Sequence, residues 1–385
     1  MSNPHWSATG DDGVRKFEML REIYEQPEAI QNTLKLYLDT ETRTLREDLL
    51  ESFANVLSSL TSITVIASGA SRHAGLCGKV MIETLAGIRV HVEHASEFIY
   101  SKELISSPRT LVLAITQSGE TADTVAALRV ARQQQLPTLC ISNVVDSTIA
   151  READAALYTN AGTERAVPAT KSFTSQLVVL YVFALLAAAA RGRITPDQVA
   201  TRTHTLHSIP QVISRVLQVF DERAKAIACE FEDGRPVILA GRGIHYPIAL
   251  EAALKIKEIS YIHAEAYPTG ELRHGITALI DKEQPLIIFA TRDQRDADSM
   301  LRFQKSVALI EELRKQSGSL ILLVSDDDLR TRELSAMYFT IPEVDELLSP
   351  LLEIVPLQLL AYHIAVRKGF DVDHPRNLVK SVTVE

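Results

Sequence analysis

From residue 61 onward the chain alternates two patterns: a short apolar, β-branched stretch, then a longer stretch with apolar positions at helical spacing. In the first half the short stretches are ITVIASGAS, RVHVEHAS, TLVLAITQSG and PTLCISNV. They predict four strands, and the apolar run near 172–190 predicts the helix that closes the series. A polar helical stretch follows at roughly 191–224. The alternation then returns with RPVILAGRG, YIHAEAY, PLIIFATR, SLILLVSD and MYFTIPE, closed by a helix near 350–368. Strands that stay apolar along their length, rather than alternating with polar residues, belong to sheets covered on both faces, which are parallel sheets. The pattern therefore predicts an α/β chain with two such sheets, flanked by helices and related by duplication. Residues 1–16 read as a flexible arm and 17–60 as an N-terminal helical segment. Residues 61–200 and 201–368 read as the two α/β units, and 369–385 as a tail.

Composition narrows the classes of function. A chain of 385 residues is long enough for two domains. At 46% hydrophobic and 23% charged residues it can build sizeable cores, so disorder is not its main theme. A net charge of −9 argues against coating nucleic acid or an anionic membrane through bulk charge. Cys77, Cys140 and Cys229 form no CxxC pair and no zinc pattern. They read as reduced, buried thiols in a cytoplasmic chain. The opening MSNPHWSATGDDG is polar and acidic, unlike a signal peptide. The longest apolar run, LVVLYVFALLAAAA at 177–190, has fourteen residues. A membrane span needs about 20, so a buried core helix is the expectation.

Aligning the halves shows an asymmetry. VIASGAS (65–71) matches VILAGRG (237–243), and LAITQSGETADT (113–124) matches IIFATRDQRDAD (287–298). The first half carries small hydroxyl residues and glycine after its strand. The second carries Arg292, Asp293, Arg295, Asp296 and Asp298, whose carboxylates would repel an anion. One anion site per chain is expected, in the first half.

That site centres on Thr116-Gln117-Ser118-Gly119-Glu120-Thr121, between a strand and a helix. Open α/β sheets bind ligands beyond the carboxyl ends of their strands, where helix N-termini offer free N–H groups. Thr116, Ser118 and Thr121 add hydroxyls, and Ser71, following Gly69, is a further donor. The turn reads as a phosphate cradle without a Walker lysine, or as an ordinary capped turn. In the second half, Lys255 and Glu258 share one face of a helix that is otherwise largely apolar. They are a tuned general base with its partner, or a surface pair of little consequence. His274, in a Gly-Glu-Leu-Arg loop, is an acid–base candidate or a structural histidine. The C-terminal stretch from Asp373 to Glu385 reads on its own as a frayed end. His91 and His94 have the wrong spacing for one face of a strand, and no HExxH or Gly-x-Ser-x-Gly motif occurs. No metal, cofactor or nucleic-acid module is expected.

Seven blocks carry a resemblance: EIYEQP (22–27), QSGETADT (117–124), NAGTE (160–164), GRG (241–243), LKIKEISYIHAEAY (254–267), GELRHG (270–275) and PRNLVKSVTVE (375–385). From about residue 16 to 385 the chain resembles the isomerase half of glucosamine-6-phosphate synthase, a tandem pair of sugar isomerase (SIS) domains. It is also similar to stand-alone SIS-type glucosamine-6-phosphate deaminases. The resemblance implies two doubly wound, flavodoxin-like domains. It implies that Ser71, Thr116, Gln117, Ser118 and Thr121, beside Gly69, hold a sugar phosphate, and that Val167 and Ala169 line the same pocket. Lys380 would form a Schiff base with the open-chain ketose. Glu258 would move a proton between C1 and C2, with Lys255 beside it. His274 would assist ring opening from the neighbouring subunit of a homodimer, and the tail would be a lid.

The synthase also carries a glutaminase domain with an N-terminal cysteine nucleophile. Here residue 2 is Ser2 and about fifteen residues precede the match. The expectation is therefore use or release of ammonia, with a separate ammonia-supplying partner possible. Ser68, Ala70, Pro168-Ala169, Pro268-Thr269 and Ile276 depart from the synthase pattern around the sugar. They leave a fructosamine-phosphate deglycase, and a sugar-phosphate sensor without turnover, as the other readings.

Overall fold

The computed structural model describes residues 17–100, 109–231 and 233–383; the arm assigned to 1–16 lies outside the described residues. Three helices come first: α1 (Glu18–Tyr24), α2 (Gln26–Tyr37) and α3 (Glu47–Ser59). The first sheet follows, with β1 (Ser62–Ala67), β2 (Arg89–His94), β3 (Thr110–Ile115), β4 (Thr138–Ser142) and β5 (Ala155–Tyr158). Its helices are α4 (Gly69–Ala86), α5 (Ala95–Phe98), α6 (Ala122–Gln133), α7 (Thr148–Glu152) and α8 (Lys171–Ala190). A long helix, α9 (Pro196–Ile227), leads to the second sheet: β6 (Val237–Gly241), β7 (Ala264–Pro268), β8 (Leu286–Ala290), β9 (Leu320–Ser325) and β10 (Met337–Ile341). Here the helices are α10 (His245–Ser260), α11 (Ala297–Leu313), α12 (Leu329–Arg332) and α13 (Ser349–Arg367).

The two sheets have orders β2-β1-β3-β4-β5 and β10-β9-β8-β6-β7, with every pairing parallel. Renumbered from their own first strands, both read 2-1-3-4-5. This is the flavodoxin-like winding, whose chain reverses direction between the first and third strands and leaves a crevice there. The central strands are the wholly apolar runs: all six residues of β3 and all five of β8 are buried. The fourth expected strand of the first half is followed by a fifth, β5, that the hydrophobic pattern does not reveal. Only Leu157 of its four residues is buried, because it lies at the sheet edge.

Two helices make the centre of the molecule. Every residue of α8 from Lys171 to Ala188 is buried, and α8 packs on α2, α3 and α4. α13 packs on α1, α9 and α10. Both are long and apolar enough to span a bilayer, yet 89% of the one window and 94% of the other lie inside the fold. Each fully buried leucine or phenylalanine there contributes about 1.5–3 kcal/mol. The polar stretch after α8 becomes α9. Its N-terminus is held by a reciprocal cap, Gln198 N–H to Thr195 Oγ1 (3.2 Å) and Thr195 N–H to Gln198 Oε1 (2.9 Å). Its stripe of Val199, Leu206, Ile213, Leu217, Phe220 and Ala224 is buried at helical spacing.

One expectation fails. Cys77 and Cys140 are buried, but Cys229 is exposed. It sits on the single turn Ala228–Phe231 after α9, where Ala228 and Phe231 take the inward positions.

Candidate active site

The turn after β3 is shaped by glycine. Gly119 has φ +71°, and a Cβ there would stand 2.1 Å from the Ser147 hydroxyl, so no larger residue fits. The turn brings Thr116 Oγ1 and Thr121 Oγ1 to 3.0 Å, and the Gly119 N–H donates to Thr116 Oγ1 (3.3 Å). Gln117 uses its carbonyl to accept the Asn143 N–H (3.0 Å). Thr121 precedes α6 without capping it. On the neighbouring strand end, Gly69 (φ +53°) opens α4, and Ser71 Oγ accepts from Gln176 Nε2 (3.0 Å). Hydroxyls and helix N-termini thus flank the crevice between β1 and β3, as an anion site requires.

From Asp373 to Val382 the tail is pinned at several points and is not frayed. The Asp373 carboxylate accepts from the N–H groups of Glu18 (2.9 Å) and Met19 (2.8 Å), capping α1. Burial raises that carboxyl above its ordinary value. The Asp373 carbonyl accepts the Val167 N–H (3.0 Å). Arg376 lies 4.0 Å over the Tyr261 ring, and its N–H donates to the Tyr261 hydroxyl (3.0 Å). Further on, Ser381 Oγ meets Ser118 Oγ at 3.0 Å, and the Val382 carbonyl accepts the Ala122 N–H of α6 (3.0 Å). Between these anchors, Lys380 Nζ donates to Glu164 Oε2 (2.5 Å) and the Ala166 carbonyl (2.7 Å). Glu164 is buried and also accepts from Ser172 Oγ (2.6 Å) and the Thr170 N–H (2.8 Å). Burial is the largest influence on Glu164 and opposes its charge. The Lys380 ammonium and these hydrogen bonds outweigh it and hold the carboxyl below its ordinary value.

On α10, Lys255 is 1% exposed and lies between Glu251 (3.3 Å) and Glu258 (2.6 Å). Burial disfavours its charge most, but the two carboxylates prevail and raise its pKa. The surface-pair alternative is thereby set aside. Glu258 Oε2 is buried, and its one close polar neighbour is the Lys255 ammonium at 2.6 Å. Glu251 Oε2 reaches across to His73 Nδ1 at 2.8 Å. His73 is two residues beyond Ser71 on α4, so the Glu258 helix is tied to the helix that carries Ser71.

Of the sequence-derived residues, the fold places Ser71, Thr116, Ser118, Thr121 and Lys380 around one crevice, with Gln117 and Gly69 shaping it. Val167 and Ala169 are half-buried on the adjoining loop. Lys255 and Glu258 sit on the helix docked against α4. His274 stands apart: it is exposed after the turn Glu271–Arg273, and its side chain meets no partner among the described residues. Sequence reasoning missed Glu164, His73 and Glu251. Glu251 had a signal, lying four residues before Lys255 and seven before Glu258 on one helical face.

The second crevice is filled by its own ion pairs. Thr291 follows β8 as Thr116 follows β3. Arg292 pairs with Asp327 (2.9 Å), Arg295 with Asp293 (2.7 Å) and Arg302 with Glu346. His245 lies between Glu353 (2.9 Å) and Glu346 (3.4 Å). Burial works against its charge, but the carboxylates push its pKa up to about 10.

The pattern of the SIS domain matches residues 57–186 and 230–368, which hold the two sheets. The chain belongs to the SIS-domain family. It aligns with the C-terminal isomerase part of glutamine–fructose-6-phosphate aminotransferases. Identity with the enzyme of Chlorobaculum tepidum is 42% over 95% of this chain and 58% of the relative. With that of Escherichia coli K12 it is 42% over 100% of this chain and 61% of the relative. The chain thus spans about three-fifths of the length of the curated relatives it matches. Among solved structures, the C-terminal domain of glucosamine-fructose-6-phosphate aminotransferase from Francisella tularensis superposes with a TM-score of 0.86 at 37% identity. That match covers 96% of this SIS chain and 100% of the other.

Proposed function

We propose that this chain interconverts glucosamine 6-phosphate with fructose 6-phosphate and ammonia, in a homodimer, through a Lys380 imine and proton transfer by Glu258. The observation that carries the reading is the tail: it sets Lys380 and Ser381 beside the Ser118 turn, so amine and phosphate cradle face one crevice. Phosphate held by Ser71, Thr116, Ser118 and Thr121 fixes the sugar remote from its reacting carbons. For ketose binding, the unprotonated Lys380 amine attacks C2 and water leaves, giving an imine. Ammonia then displaces the lysine at C2. Glu258 takes the C1 proton and returns it at C2, a transfer worth about 10²–10⁴-fold. The reverse sequence releases ammonia. Lys255, held between Glu251 and Glu258, sets its ammonium 2.6 Å from the Glu258 carboxylate that moves the proton.

A deglycase needs room for an amine substituent beside Pro168 and Thr269. Both are buried, which favours the smaller amine, ammonia.

Two assays on the purified chain test the proposal: ammonia release from glucosamine 6-phosphate, and glucosamine 6-phosphate formation from fructose 6-phosphate with ammonium. Turnover is expected, with at least a thousandfold loss in Lys380→Ala while sugar-phosphate binding stays within a few-fold. Turnover that survives the substitution contradicts the imine.

A further inference from the structure

Glu22 is fully buried on α1, in the block EIYEQP, and the proposed reaction gives it no part. Its Oε1 accepts the N–H groups of Arg165 and Ala166 (3.4 Å for the latter). Its Oε2 is buried without a partner. The same short loop is held from its other groups by the tail: Lys380 takes the Glu164 carboxylate and the Ala166 carbonyl, and Asp373 takes the Val167 N–H. Asp373 in turn caps α1. Helix, loop and tail therefore form a closed ring of hydrogen bonds with Glu22 on one side of the loop and Lys380 on the other.

We infer that Glu22 is a positioning residue for Lys380: it holds the 164–167 loop on which the amine rests, and its charge governs how readily the amine gives up its proton. The inference rests on Lys380 being the imine-forming amine. An ammonium cannot attack a carbonyl, so the Lys380 ammonium must lose a proton before the imine forms.

The charged groups facing Glu22 are Glu164 from the loop, Lys380 from the tail and Lys171 from α8. Lys171 is occupied by Glu25 at 2.7 Å. Arg21, on α1 itself, pairs with Glu18 and Glu25. From α13, which packs on α1, His363 pairs with Asp221. Asp373 faces the helix end. Burial, its strongest influence, pushes the Glu22 carboxyl up to about 7. Below that pH it is neutral, and Lys380 faces one carboxylate, Glu164. Above it a second negative charge favours the ammonium and delays release of the proton. A cavity of about 450 Å³, lined by Arg21, Glu25, Arg165 and Lys171, adjoins the loop.

The test labels Lys380 with acetic anhydride across pH 6–10 and reads the modified residue by mass spectrometry, in the wild type and in Glu22→Gln. Glutamine keeps the acceptor for both N–H groups and removes the charge. Labelling of Lys380 in the variant is expected to rise about threefold or more at pH 8–9, a shift of half a pKa unit or more to lower pH. Superimposable labelling curves overturn the inference. Should the glutamine protein fail to fold, Glu22→Asp serves: withdrawing the charge by one methylene and emptying the loop contact must still move the curve. No substrate is used, so the result is independent of the proposed reaction. Borohydride trapping of wild-type Lys380 with fructose 6-phosphate tests that reaction separately.

Discussion

Gly119 shows how a single backbone conformation supports the proposed phosphate cradle. Its φ of +71° costs an L-residue about 1–2 kcal/mol. Gly119→Ala also drives a methyl into Ser147, whose own neighbours at Ser142 leave little room. Gly162 provides the comparison: its φ is +74°, but a Cβ there meets only Lys171 Nζ at 3.9 Å. Thermal melts should show Gly162→Ala losing the strain alone. Gly119→Ala should lose more, and sugar-phosphate affinity should fall only in the latter. Equal losses would mean the turn relaxes around the methyl. Glu22 supplies a second residue-scale expectation, with its sign fixed by linkage. Its carboxyl titrates at about 7 when folded, against an ordinary 4.5. The folded state therefore holds the proton more tightly, and stability falls as pH rises from 4.5 to 7. Glu22→Gln should flatten that part of the stability curve in urea melts.

At the scale of elements, the decisive contact is between α4 and α10. Glu251 bridges His73 on one helix and Lys255 on the other, and its side chain is fully buried. Removing one partner of a buried charge network costs about 3–5 kcal/mol, because the remaining charge is left without compensation. Glu251→Ala should lower the urea midpoint accordingly and depress kcat more than KM, since the proposed phosphate turn after β3 is untouched. A variant as stable as the wild type would mean that water replaces the carboxylate. This contact also marks the limit of what the sequence discloses. Apolar runs such as LVLAI and LIIFA announce central strands because both faces are covered. Edge strand β5 escapes, since three of its four residues are only partly covered. Lys255 and Glu258 stand out as charges on an apolar helix, and Glu251 shares their spacing. His73 and Glu164 have no such local sign. Their partners lie 178 and 216 residues away, and only the fold brings them together. Cys229 is a simpler miss: a lone cysteine gives no pattern from which to read which way a single turn faces.

For the molecule as a whole, one member of the proposed site is out of place. Lys380 and the hydroxyl turn meet in one crevice, and Glu258 is braced against it through Glu251 and His73. His274 points into solvent from the far edge of the second sheet, where β7 is the edge strand. Within one protomer it has nothing to act on. A twofold dimer resolves this if each crevice receives the loop 270–275 of the other chain, since an isologous contact supplies both sites at once. The consequence is quantitative. Lys380→Ala and His274→Ala homodimers should each be inactive or nearly so. After subunit exchange in equal amounts, half the dimers are mixed. In each of those, one site combines the intact Lys380 of one chain with the intact His274 of the other, and the second site lacks both. Activity should therefore recover to about a quarter of the wild-type value per protomer. Exchange confirmed by mass spectrometry without any recovery would place His274 in the site of its own chain, and would require the 270–275 loop to fold inward when substrate binds.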